Sequence, residues 1–194
     1  MKLLVTGFEA FGGETINPSW EAVKRLPAKI GETEIEKLEL PVVYGEAARI
    51  ASEKAKEIGA DAILCVGQAG GRDAITPEVI GINLQDCAIP DNAGTLRTRE
   101  RIAQDGADGY FSTLPVFAMV DAIKKESVPA KVSYSAGTLV CNDLLYSLLR
   151  RFSGTNVKVC FVHLPFLPEQ AGDKFPSLTL DQDVIVLTAA IGIL

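Results

Sequence analysis

The chain has 194 residues, 47% of them hydrophobic, and a formal net charge of −6. That length reads as one domain, 1–194, with enough mass for a full core, and the acidic balance, broken only by pairs such as Lys124-Lys125 and Arg150-Arg151, argues against nucleic acid or an anionic membrane as partner. No run reaches the about 18 apolar residues of a membrane-crossing helix, and Cys65, Cys87, Cys141 and Cys160, with no CxxC spacing and one histidine, read as free thiols of a cytosolic protein, with neither a metal set nor a disulfide framework.

The opening MKLLVTGFEAFGG carries one Lys and a short apolar run, so it reads as a strand over 3–8 and a Gly/Phe-rich turn, not as a leader. Asn17-Pro18 opens a short helix over Ser19 to Leu26, because Asn is a good N-cap and Pro has its φ set for the first helical position. TEIEKLELPVVY alternates and predicts a strand from Thr33 to Tyr44, with Pro41 near its end. Ala47, Ile50, Ala51, Ala55 and Ile58 fall on one face of a helix over Glu46 to Ile58. DAILCVG, 61–67, is a continuous apolar run of the buried parallel kind. Gln68 to about Pro115 has no clear period, and an irregular stretch of this length usually carries function.

A helix follows over Val116 to Lys125. KVSYSAG, 131–137, alternates apolar and small polar residues and predicts a buried strand, left by a tight turn at Gly137 and Thr138. The next helix starts near Leu139 to Asn142 and aligns Leu144, Leu145, Leu148 and Leu149. VKVCFVHLPF, 157–166, is another apolar strand, LPEQ a turn, and a last helix runs from Leu180 or Asp181 to near the end. The order β-α-β-α-β-loop-α-β-α-β-α means an α/β fold: a single α/β/α sandwich around a mostly parallel twisted sheet.

In this reading Cys141 sits at a helix N-terminus just past the carboxyl end of a strand, where the helix end favours thiolate. His163, the only imidazole, lies near the carboxyl end of the next strand in sequence. Sequential β-α-β strands usually neighbour each other, so both side chains share one rim of the sheet. A thiol nucleophile needs that arrangement: the imidazole takes the proton and the helix end stabilises the sulfur anion. A carboxylate would hold the imidazole tautomer. Glu78, flanked by Ile75, Val79, Ile80 and Ile82, is the best candidate, ahead of Glu169 and Asp86; its structural alternative is an acid in the first turn of a helix after Pro77. GFEAFGG lacks the GK[ST] of a P-loop and GQAGGR is no dinucleotide fingerprint. Phe8 and Phe11 either wall a small apolar pocket at this rim or pack into the core.

VTGFEAFGGETINPSWEAVKRL (5–26), LPVVYGEA (40–47), CVGQAGGRDAITPE (65–78), GINLQ, IPDNAG, VSYSAGTLVCN (132–142) and FVHLPFLPEQ (161–170) follow one another in an order that resembles the pyroglutamyl peptidase I (pyrrolidone-carboxylate peptidase) family of cysteine peptidases, over nearly the whole chain. The resemblance implies a triad of Glu78, Cys141 and His163. It also implies a pocket for a pyroglutamyl ring walled by Phe8 and Phe11, with Leu139 and Val140 beside the nucleophile and Asn17 and Gln68 supporting or lining it. It implies peptides with N-terminal pyroglutamate as substrates, no cofactor, a cytoplasmic location and a homo-oligomer, dimer or tetramer. Two positions depart from the family, which usually has Arg after the triad Glu and Arg just before IPDN; here they are Val79 and Ala88. They motivate an alternative, a relative that binds pyroglutamyl or other small cyclic amides and turns them over poorly.

Overall fold

The computed structural model describes residues 1–194. In chain order the elements are β1 (Lys2–Phe8), α1 (Pro18–Arg25), β2 (Lys29–Ile30), β3 (Thr33–Leu40), α2 (Glu46–Ile58), β4 (Ala62–Gln68), β5 (Thr76–Glu78), β6 (Ile80–Ile82), β7 (Gly109–Phe111), α3 (Val116–Lys125), α4 (Val140–Arg151), β8 (Lys158–Leu164), α5 (Pro168–Ala171) and α6 (Leu180–Gly192). Six strands form one sheet in the order β2-β3-β1-β4-β8-β5, and β6 and β7 make a separate antiparallel ribbon. The central pairings β3–β1, β1–β4 and β4–β8 are parallel; only the outer ones, β2–β3 and β5–β8, are antiparallel.

The long apolar runs become the strands buried on both faces, as parallel strands under crossover helices must be. Alternate residues feed two separate cores. Ile63, Cys65, Val159 and Phe161 join the core under α2 and α4, while Leu64, Val66, Cys160 and Val162 join the one under α1, α3 and α6. Leu144, Leu145, Leu148 and Leu149 of α4 all enter the first of these. The result is the expected α/β/α sandwich with a mainly parallel sheet. No helix is long and apolar enough to cross a membrane.

The start of α1 follows from its sequence. The Asn17 side chain accepts from the Ser19 N–H at 3.1 Å, with Pro18 in the first turn. Packing is so close here that a Cβ on Gly7 would lie 2.7 Å from the Trp20 backbone, which leaves only glycine at that point of β1.

Four segments differ from the sequence expectation. Residues 131–137 are not a buried strand. They touch the sheet edge through the bridges Ile75↔Ala130 and Glu78↔Ser133, and Tyr134 is 69% exposed. Serines, one alanine and a glycine bring too little apolar surface to bury, and Gly137, with φ of 78°, turns the chain towards α4. The strand predicted to reach Tyr44 stops at Leu40, since Pro41 has no N–H for the ladder. The region read as irregular holds β5, β6 and β7, whose three residues each are too short to show a period. LPEQ gives the one-turn α5.

Candidate active site

Register puts the three candidate side chains on one face of the sheet. Gly67 of β4 pairs with His163 of β8, and Thr76 and Glu78 of β5 pair with His163 and Phe161. Side chains alternate along a strand, so Glu78 and His163 share the face of Phe161, which belongs to the core under α4. Cys141, second residue of α4, comes down on the same face. A Cβ on Gly67 would stand 3.1 Å from its Sγ and 2.6 Å from the Phe161 ring. The missing side chain of Gly67 is the space that the sulfur uses.

The route differs from the sequence argument. No strand leads directly into α4; β8 is flanked by β4 and β5, and the sulfur sits over β4 at Gly67, the register partner of His163 on β8. No hydrogen bond joins the sulfur to the ring. Catalytic contacts are often loose before substrate arrives.

His163 and Glu78 are fully assembled. Nδ1 of the imidazole lies 2.7 Å from Glu78 Oε1, and both side chains are buried. Glu78 is in a strand, not in the first turn of a helix; its rivals Asp86 and Glu169 are exposed. Burial would raise the Glu78 carboxyl, but hydrogen bonds and charge from His163, with Ser133 and Arg72, outweigh it and hold the group below its usual value. Burial pushes His163 down, against the pull of Glu78. A carboxylate therefore faces a neutral ring, whose Nδ1–H donates to Glu78 and whose Nε2 is left as a base.

The thiol departs from expectation. Burial, followed by the charge of Glu78, pushes Cys141 up to about 12, and the pull of Arg72 and of its own backbone N–H does not offset this. Burial therefore opposes the helix end at this sulfur and favours the thiol.

The start of α4 is left uncapped. Leu139 occupies the N-cap and no side chain accepts from the first turn. The N–H groups there have no partner within the helix, and together they form an anion site beside the sulfur. Two buried residues hold this turn in place. Asn142 accepts from the Ile82 N–H and donates to the Ile82 and Leu84 carbonyls, and Asp143 accepts from the Gly45 N–H and the Gln85 amide.

A cavity of about 190 Å³ opens in front of Cys141. Phe8, Phe11, Asn17, Gln68, Leu139 and Val140 all line it, together with Val42 and Gly70. Phe8 also packs into the core, so the two readings offered for it hold together. The Asn17 amide is already used, accepting from Ser19 and donating to the Glu9 carbonyl at 2.9 Å, so it supports the wall. Gln68 is different. The Leu167 N–H can only donate, so it fixes Gln170 Oε1 towards itself; Gln170 Nε2 then donates to Gln68 Oε1 at 3.0 Å. The Gln68 NH₂ is left as a donor.

Arg72 escaped the sequence reading. Its guanidinium donates to Glu78 Oε1 at 2.7 Å and to the Thr76 hydroxyl. An Arg six residues before a candidate acid, straight after a strand and two glycines, was the available signal. Val79 packs on the opposite face, against the core under α3 and α6. A longer side chain at that position would point away from Glu78, and Ala88 is an exposed loop residue.

The profile of one family, described as pyroglutamyl peptidase, matches residues 1–194. A pyrrolidone-carboxylate peptidase of Lactobacillus helveticus is 48% identical over 194 residues, covering 98% of this chain and 97% of that one. One from Enterococcus faecalis is 46% identical over 185 residues, covering 93% and 87%. The crystal structure of pyroglutamyl peptidase I from Bacillus amyloliquefaciens superposes with a TM-score of 0.95 at 46% identity, covering 98% of this chain and 95% of that one.

Proposed function

The chain belongs to the pyroglutamyl peptidase family, and we propose that it is a cysteine peptidase that removes the N-terminal pyroglutamyl residue from peptides. The observation that carries this reading is the buried Glu78–His163 pair at 2.7 Å, next to a half-buried Cys141 that borders a small cavity.

The cavity is well below the roughly 300–1,000 Å³ of drug-sized sites, which suits a single small ring. Phe8, Phe11, Val42 and Leu139 offer apolar walls, and the free Gln68 NH₂ donates to the lactam carbonyl. A pyroglutamyl residue has no free amine, so an uncharged pocket is the recognition its chemistry calls for.

His163 Nε2 takes the Cys141 proton as sulfur bonds to the pyroglutamyl carbonyl carbon. Glu78 holds the ring orientation and stabilises the imidazolium. The oxyanion lies against the uncapped N–H groups at the start of α4, that of Cys141 among them. As the C–N bond breaks, His163 returns the proton to the departing amine and a thioester remains. The imidazole then takes a proton from water, hydroxide adds to the thioester, and the thiol leaves with that proton, releasing pyroglutamate.

The unit is one catalytic domain over 1–194. Four unpaired cysteines support a reducing, cytoplasmic setting. Exposed apolar residues on α6 and at its C-cap, Ile185 and Ile193, support a homo-oligomer, a dimer or tetramer. Hydrolysis of pyroglutamyl-aminomethylcoumarin tests the reading: the chain releases the fluorophore and Cys141→Ala does not. A folded wild-type protein without turnover would sink it.

A further inference from the structure

We propose that Arg72 is a positioning residue, which pins Glu78 in the orientation that its contact with His163 requires and offsets the carboxylate's charge so that the imidazole rests as a neutral base. The proposal rests on the peptidase reading for its kinetic consequence but not for its electrostatic one.

Geometry carries it. Glu78 Oε1 takes two donors, His163 Nδ1 and Arg72 Nη1, both at 2.7 Å. Glu78 Oε2 is buried without a partner. The carboxylate is therefore held mainly through one oxygen, and without Arg72 the imidazole would be the one close partner left to fix it, with Ser133 beside it. Arg72 is itself tied down from two sides. It donates to the Thr76 hydroxyl on β5, and it reaches the Ser133 hydroxyl at 3.4 Å and the Ser135 carbonyl at 3.2 Å in the segment ahead of α4. The Arg72 side chain is 29% exposed and that of Glu78 is buried, so the pair is partly shielded from water.

The charge argument follows from the same contacts. A buried carboxylate that faced only an imidazole would favour a proton on the ring, and an imidazolium cannot accept from the thiol. A cation on the same oxygen weakens that incentive. The titratable groups packed around His163 are Glu78 from β5, Cys141 from α4 and Arg72 from the loop after β4; Gly67 and Thr76, its register partners, add no charge. Arg72 is the one cation in this set. Its repulsion of a second positive charge keeps His163 low beside the larger effect of burial, and its attraction for a thiolate works against Glu78 at Cys141 as well.

Arg72 could instead serve only as a strap between the loop after β4 and residues 133–135. The two roles separate experimentally, because His163 is the chain's single histidine. Its imidazole resonance can be titrated by NMR, without substrate, in the wild type, Arg72→Met, Arg72→Gln and Arg72→Lys. The neutral variants should raise the midpoint by about one pH unit, and the Lys variant should stay within about a third of that. With pyroglutamyl-aminomethylcoumarin, the acid limb of kcat should move up with the midpoint in the neutral variants. Their kcat at neutral pH should fall at least about tenfold, with KM changed by less than about threefold, because Arg72 does not line the ring cavity. A folded neutral variant whose midpoint stays put overturns the proposal. So does failure of both neutral variants to fold while Arg72→Lys keeps full kcat, since Arg72 is then only a strap. A wild type that shows the shift on substitution but never turns over substrate would defeat the peptidase reading alone.

Discussion

Glu78 and His163 stand 85 positions apart in the chain and 2.7 Å apart in space, brought together by the antiparallel pairing of β5 with β8. The contact decides which ring nitrogen carries the proton, and so whether the other can act as a base. Glu78→Gln keeps size and a hydrogen bond but can donate to Nδ1, which would favour the wrong tautomer. We expect kcat to fall on the order of 10²–10⁴-fold with little change in melting temperature. Steady-state kinetics beside a thermal melt checks this, and a loss below about tenfold would remove Glu78 from the mechanism.

Gly67 is a test of how tightly the sulfur is seated. A single methyl there would lie 3.1 Å from Sγ and 2.6 Å from Phe161 Cζ, closer than such contacts normally come. Gly67→Ala should fold, at a cost of about 1–3 kcal/mol for the overpacking, and lose kcat at least about tenfold as the thiol is displaced. Retention of wild-type kcat would show that the space above β4 is not what seats the nucleophile.

The uncapped start of α4 predicts an inverse relation between helix stability and rate. Leu139→Asp supplies a carboxylate to the free first-turn N–H groups, an N-cap worth about 1 kcal/mol, on the site where the oxyanion would form. Turnover should drop by about 10²-fold or more while helix protection in hydrogen exchange rises. If activity survives a demonstrably capped helix, the oxyanion is stabilised elsewhere.

Asp183 gives a pH prediction away from the site. It lies on the inward face of α6, in line with Val186, Leu187 and Ala190. It is fully buried, and neither carboxylate oxygen has a partner. Burial raises its pKa from the usual 3.8 to about 8. Below pH 3.8 both folded and unfolded forms hold the proton. Between there and about 8 only the folded form does, so stability is greatest below the lower value and falls as pH rises through this window. By pH 7 the loss is about 4 kcal/mol. Asp183→Asn removes the titration. It should be more stable than the wild type by on the order of 3–4 kcal/mol at pH 7 and about equal near pH 3.5. Denaturant melts at the two pH values measure it, and a pH-independent difference would show that Asp183 does not titrate in this window.

What the sequence made legible was local. Apolar runs at 3–8, 61–67 and 157–166 are strands, and the leucine spacing of α4 faces the core. Cys141 stood out at a helix start and His163 as the only imidazole. What stayed hidden was pairing between distant segments. Three-residue β5 has no period of its own, so the side of the sheet that Glu78 faces follows only from its register with β8. Arg72 sits in a glycine-rich loop where nothing local aims its side chain; its direction is set by Thr76, Ser133 and Ser135. Residues 131–137 misled because alternation of small residues mimics a strand without supplying the surface that would bury one.

The hydrogen bond from the Leu167 amide to Gln170 has a reach beyond its own turn. It leaves Gln170 no freedom to rotate, and through it Gln68 cannot exchange its donor for its acceptor. An N-terminal proline has the same five-atom ring, but it lacks the lactam oxygen and carries a protonated ring nitrogen. Such a residue would leave the Gln68 donor facing a methylene and put its cation inside aromatic walls that offer no anion. On the proposed reading, discrimination between two rings of equal size would descend from one main-chain N–H, two side chains removed from the ligand.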